Sequence, residues 1–112
     1  MVRKTIERSK MNARGGNGEV FFQDVLTTEE LRGHGRLYSM MTLPPGSSIG
    51  VHQHVDDTEP YFILKGRGIY TDNDARIEVG PGDVCMVELG DCHGLENPFD
   101  EDLVFMALIY NK

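Results

Sequence analysis

Short apolar runs alternate with glycine, proline and acidic breaks along most of the chain. EVFFQDVL, RLYSMMTL, YFILKG, GIYTD, ARIEV, DVCMVEL and DLVFMALIY are each about strand length and bounded by Gly, Pro, Asp or Asn. Between them lie the turn signals LPPGSS, TDNDA, VGPGD, LGDCHG and NPFDED. Short strands at this spacing predict an all-β fold, a sandwich or a barrel. DNDA, between GIYT and RIEV, predicts a hairpin turn. TTEELRG predicts a single helical turn, capped by Thr27 or Thr28 and closed by Gly33. Residues 1–17 are polar and run into GGNG, which predicts a loose arm or an extra edge strand. No repeat, low-complexity tract or linker divides the chain, so residues 1–112 are expected to form one domain.

Composition narrows the partners. The net charge of -7 argues against nucleic acid, whose phosphates need clustered Lys and Arg, and against an anionic membrane surface. No apolar run is long enough to span a bilayer, and the polar N-terminus lacks the apolar stretch of a signal peptide. Cys85 and Cys92 are too few for a disulfide scaffold and read as reduced thiols of a cytoplasmic protein.

The candidate chemistry lies in HQHVDDTEPYF, which holds two of the four histidines. On a strand, residues two apart share a face, so His52 and His54 would project together, about 7 Å apart at Cβ. Glu59 begins the next apolar run, and a tight return would bring its carboxylate beside the pair. Two imidazoles and a carboxylate on one face are the set used by non-haem iron and related sites. Taken alone, such a pair is more often surface decoration beside a solvated acidic loop than a ligand set.

A second region changes that balance. Gly46, five residues, His52-Gln53-His54, four residues, Glu59, six residues and Gly66 form one pattern. Gly82, seven residues, Gly90, two residues, His93, three residues and Asn97 form another. Together they resemble the double motif of the cupin superfamily. One fixed position departs from it: Glu88 stands where the family usually has Pro, in the turn before His93. The resemblance implies a small antiparallel jelly-roll barrel with its core over residues 36–110. It also implies one metal held by His52, His54, Glu59 and His93. LPPGSSIGVHQH, GGNGEV and DLVFMALIY are similar to short single-domain bacterial cupins of the oxalate-decarboxylase-like branch. That branch implies Mn, then Fe, and a small oxygenated acid or sugar-acid as ligand, although the donors also suit Zn, Ni or Cu. The decarboxylases use a lid carrying a glutamate general acid, and no segment here matches it.

If Glu59 points inward, so do Tyr61 and Ile63. Tyr61 either donates to a bound substrate or fills the barrel. Asp56 and Asp57 flank the entrance as a candidate general base or a solvated loop. Asn97 is expected to brace a turn, His34 to be a loop residue, and Met40, Met41, Met86 and Met106 to be core. Three classes follow: a Mn- or Fe-dependent lyase, isomerase or dioxygenase; a non-catalytic small-ligand binder; and a barrel stapled by a structural metal. The segment around GNGEVFFQD is expected to pair with a partner's sheet, giving a homodimer.

Overall fold

All seven apolar runs become strands. The computed structural model describes residues 1–112, and the runs lie in β2 (Glu19–Leu26), β3 (Gly35–Leu43), β5 (Asp57–Lys65), β6 (Gly68–Asp72), β7 (Ala75–Val79), β8 (Val84–Val87) and β10 (Leu103–Asn111). Three more strands carry no such run: β1 (Ile6–Met11), β4 (Ser48–Gln53) and β9 (Cys92–Glu96). β4 and β9 are interrupted by Gly50 and Gly94 and carry histidines on their inner side, which hides them from an apolar pattern. The helical turn α1 (Thr28–Leu31) is capped as predicted. The Thr27 side chain accepts from the Glu30 N–H, and the Glu30 carboxylate accepts from the Thr27 N–H.

The strands form two antiparallel sheets, ordered β1-β2-β3-β10-β5-β8 and β4-β9-β6-β7. Side chains alternate between the space enclosed by the sheets and the outside. Leu43, Ile63, Leu95, Leu103 and Phe105 fill one part of that interior and are almost wholly buried. Each such side chain contributes about 1.5–3 kcal/mol by leaving water. The two sheets make the jelly-roll barrel expected from the motif pattern.

The N-terminal segment is the extra edge strand rather than the loose arm: β1 pairs antiparallel with β2, and a 3₁₀ turn at Ala13–Gly15 follows. Three expectations need correction. β2 is paired on both sides, by β1 and β3, and cannot add to a partner's sheet. Glu59 does come back beside the histidines after a short connection, but β5 begins at Asp57 rather than at Glu59 and belongs to the other sheet from β4. Only Met41 of the four named methionines is core; Met40, Met86 and Met106 have the opposite parity and face outward from the six-stranded sheet.

The 3₁₀ turn lies directly on β4. A Cβ on Gly50 would stand 2.1 Å from the Arg14 carbonyl oxygen, and one on Gly16 would stand 2.3 Å from that of Ser48. Only glycine allows the two backbones to approach this closely. That packing sets the arm beside the strand that carries His52.

Candidate metal centre

β4, β5 and β9 each bring ligand candidates to one place. His52 lies opposite His93 in the β4–β9 ladder, just past a register shift between Ile49 and His52. His54 follows the end of β4 and is held by the turn before β9. The Gly90 N–H donates to the His54 carbonyl at 2.6 Å, and the His54 N–H donates to the Asp91 carbonyl at 3.1 Å. Gly90 has φ +90, which a side chain would strain, so the motif glycine makes the turn that sets His54 against His93. That turn closes with Glu88 in the position usually held by proline, the Asp91 N–H donating to its carbonyl at 3.0 Å. Glu59 arrives from the opposite sheet.

The outer ring nitrogens are anchored. His52 Nδ1 lies 2.7 Å from the Gly50 carbonyl and His54 Nδ1 2.6 Å from Asp57 Oδ1. Both contacts take the Nδ1 proton, so each ring, when neutral, presents its lone pair at Nε2. His93 Nδ1 lies 3.0 Å from the Tyr70 hydroxyl. The three Nε2 atoms then converge, at 3.1 Å (His52–His54), 3.0 Å (His54–His93) and 3.2 Å (His93–His52). Glu59 Oε1 lies 3.3 Å from His54 Nε2 and 3.1 Å from His93 Nε2. All four donor atoms fall within 4.8 Å of one another.

This donor set could hold a metal ion. One ion at about 2.0–2.2 Å from each nitrogen spans edges of about 3.1–3.4 Å, so the three Nε2 atoms lie close enough together to share one. Glu59 is buried, which pushes its pKa up, yet hydrogen bonds from His54 and His93 outweigh this and hold it below the usual carboxylate range. His54 is raised, first by Glu59 and then by Asp57, against its burial. His52 falls to about 4, mainly by burial, with the charges of His93 and Arg14 adding to it.

The surrounding residues divide into expected and missed. Tyr61 is buried and stacks on His93, with ring centroids 5.0 Å apart and planes 16° apart. Burial pushes its phenol well above the ordinary range, so it stays a neutral donor. Asp57 is neither a solvated loop residue nor free: one carboxylate oxygen faces His54, and the other accepts from Arg36 Nε at 2.8 Å. Asp56 is exposed and pairs with Lys112. Asn97 braces the motif's end, donating to the Leu43 and Glu101 carbonyls at 2.8 Å each. His34 lies exposed in the bend before β3. Tyr70 was missed; its inward parity in GIYTD was legible, but its partner His93 lies one strand away in space. Also missed was a cavity of about 340 Å³ reaching His52, Glu59 and Tyr61, whose rim carries Arg8, Lys10, Arg14 and Arg36.

Residues 39–109 match the family described as Cupin domain. The chain is 43% identical over 98 residues to the oxalate-binding protein of Thermotoga maritima, covering 88% of this chain and 81% of that protein. A solved structure of a predicted oxalate decarboxylase from Thermotoga maritima superposes with a TM-score of 0.93 at 38% identity, over 100% of this chain and 99% of that one. A cupin-like protein from the same organism, at 19% identity, superposes with a TM-score of 0.75 over 99% and 80% of the two chains and attests the fold alone.

Proposed function

The chain belongs to the cupin family, and on that premise we propose that it holds one divalent transition metal and binds a small oxygenated acid there. His52, His54, Glu59 and His93 would be the ligands, with Mn first, Fe next, and Zn, Ni or Cu as lesser occupants. The observation that carries this reading is the triangle of Nε2 atoms at 3.0–3.2 Å, their Nδ1 atoms already committed outside it. A six-coordinate ion with four protein ligands keeps two positions, which two oxygens of an acid can fill, and it would polarise them as a Lewis acid. The oxalate-binding relative supports an acid of that kind. In its enzyme form the protein is a lyase, isomerase or dioxygenase, with the neutral Tyr61 phenol donating to the bound acid. Asp57 serves as a positioning residue, because both its oxygens are engaged by His54 and Arg36.

A second reading, binding without turnover, is favoured by one observation: Glu59, itself a ligand candidate, is the only carboxylate lining the cavity. Elemental analysis tests the shared premise. Near one equivalent of Mn or Fe in the wild type, lost in His52→Ala, is the expected result; no transition metal after reconstitution overturns it. Calorimetry with oxalate, followed by product assay with and without oxygen, then separates enzyme from binder.

We further propose that the partner in assembly is a second copy. The outer face of β3, β10, β5 and β8 presents Met40, Met106, Phe62, Leu64, Val84 and Met86, with no carboxylate among them. In a chain of net charge -7, self-association needs a face free of acids, and this one pairs sheet on sheet. Sedimentation is expected to give a dimer that Phe62→Glu converts to monomer; a wild-type monomer at micromolar concentration refutes it. The two cysteines are unpaired, which supports a reducing compartment such as the cytoplasm.

A further inference from the structure

The rim of the metal-centre cavity has the opposite charge to the chain that makes it. Four of the chain's eleven basic residues line it, against one of its eighteen acidic residues. Two of the four are neutralised. Arg8 Nε lies 2.7 Å from Asp24 and its guanidinium sits 3.8 Å over the Phe22 ring, and Arg36 pairs with Asp57. Lys10 and Arg14 have neither an ion pair nor a side-chain hydrogen bond.

Arg14 is also held in place. Its backbone is left-handed (φ 53, ψ 33), a conformation unfavourable for a side-chain-bearing residue, and its carbonyl rests on Gly50 of β4. The main chain is thus fixed two residues from His52 while the side chain stays exposed. Between rim and metal centre the wall is apolar, with Phe22, Leu37, Met41 and Ile49. The cavity thus combines candidate metal ligands, a mostly buried hydrocarbon surface and two exposed, uncommitted cations. Its volume of about 340 Å³ is enough for roughly ten waters at about 30 Å³ each, far more than the six heavy atoms of oxalate need.

We propose that the ligand is an acid longer than oxalate, whose one end binds the metal and whose other end carries a second anionic group held by Lys10 and Arg14. The N-terminal arm is then the specificity element of the barrel. A guanidinium and an ammonium accept a carboxylate or a phosphate alike, and the carbons between the two ends lie along the apolar wall. This inference rests on the metal-bound acid of the preceding section.

The test is calorimetric titration of Mn(II)-loaded protein with oxalate, malonate, succinate, glutarate and 3-phosphonopropionate, set against propionate, butyrate and valerate. At least one of the longer dianions is expected to bind about tenfold or more tighter than both oxalate and the monoacid of its own length, as a charge-assisted contact warrants. The succinate and 3-phosphonopropionate arms separate carboxylate from phosphate-like recognition. The double variant K10Q/R14Q should abolish the gain while leaving Mn stoichiometry and oxalate affinity unchanged, and Arg14→Lys should restore part of it. The gain should shrink as salt rises. Oxalate binding with no gain for any longer dianion, or a gain that survives K10Q/R14Q, overturns this inference and leaves the proposed function standing. Binding of none of the acids by Mn-loaded protein overturns both.

Discussion

Along β5 the inward side chains run Ile63, Tyr61, Glu59, passing from hydrocarbon to ionised carboxylate within about 13 Å. β9 makes the same change from Leu95 to His93, and β10 passes from Leu103 and Phe105 to Ala107. The barrel therefore has two halves built on the same strands. One is closed by large apolar side chains; the other holds the histidine cluster and opens into the cavity. The packed half needs only volume and polarity, and many sequences meet that need. The open half needs named atoms at set distances, so it is braced by polar contacts: Asp57 on His54, the Tyr70 hydroxyl on His93, and the Gly50 carbonyl on His52. Stability should reside in the first half and affinity in the second.

Truncation in the packed half should have the largest effect on folding. Phe105 is fully buried, with its ring centroid 4.9 Å from that of Tyr61. Phe105→Ala is expected to cost about 3–5 kcal/mol in urea unfolding of metal-free protein, while the folded fraction still binds Mn with unchanged stoichiometry. His52→Ala should do the reverse. His52 is half-buried at the cavity, so unfolding of the metal-free protein should change by no more than about 1 kcal/mol. Mn affinity should fall at least about a hundredfold, or about 2.7 kcal/mol. If both substitutions lower stability and affinity together, the division between the halves fails. Asp57→Asn is expected to be milder, at about 10- to 100-fold in Mn affinity, because it loosens His54 without removing a ligand. An unchanged affinity would reduce Asp57 to a surface partner of Arg36.

The two halves also differ in how much of them the sequence disclosed. The packed half follows from alternation, and Ile63, Leu95 and Phe105 needed only strand parity. The ligand candidates followed from spacing, since turn glycines and histidines at set intervals carry geometry in one dimension. What stayed hidden depends on contacts between distant segments. Tyr70 reaches His93 from a neighbouring strand, and Asp57 reads as an acidic loop until β5 is seen to start there. Arg8, Lys10, Arg14 and Arg36 are dispersed through a polar arm and a later strand, and no local charge count gathers them. Met40, Met86 and Met106 show the opposite failure: on strands apolar on both faces, hydrophobicity alone does not say which side is inside.

The smallest predicted effect is one of chemical reactivity, and it tests whether the packed half is independent of the metal. Cys85 faces inward from β8, opposite Tyr61 in the ladder, and burial pushes its thiol up to about 11. At pH 8 about one such thiol in a thousand is ionised, and alkylation proceeds through the thiolate. Cys92 lies on β9 and is only half-buried. Iodoacetamide at pH 8 should therefore modify Cys92 at least about tenfold faster than Cys85, as read by mass spectrometry of the peptides. In Mn-loaded protein, a chelator would remove an ion from the open half alone. If the packed half holds by its own hydrocarbon contacts, Cys85 labelling should stay as slow after chelation as before, and only denaturant should expose it. A chelator-induced rise in Cys85 labelling would mean that the ion pins Glu59, and through β5 the Tyr61–Cys85 pair, so that metal and core form one cooperative unit rather than two.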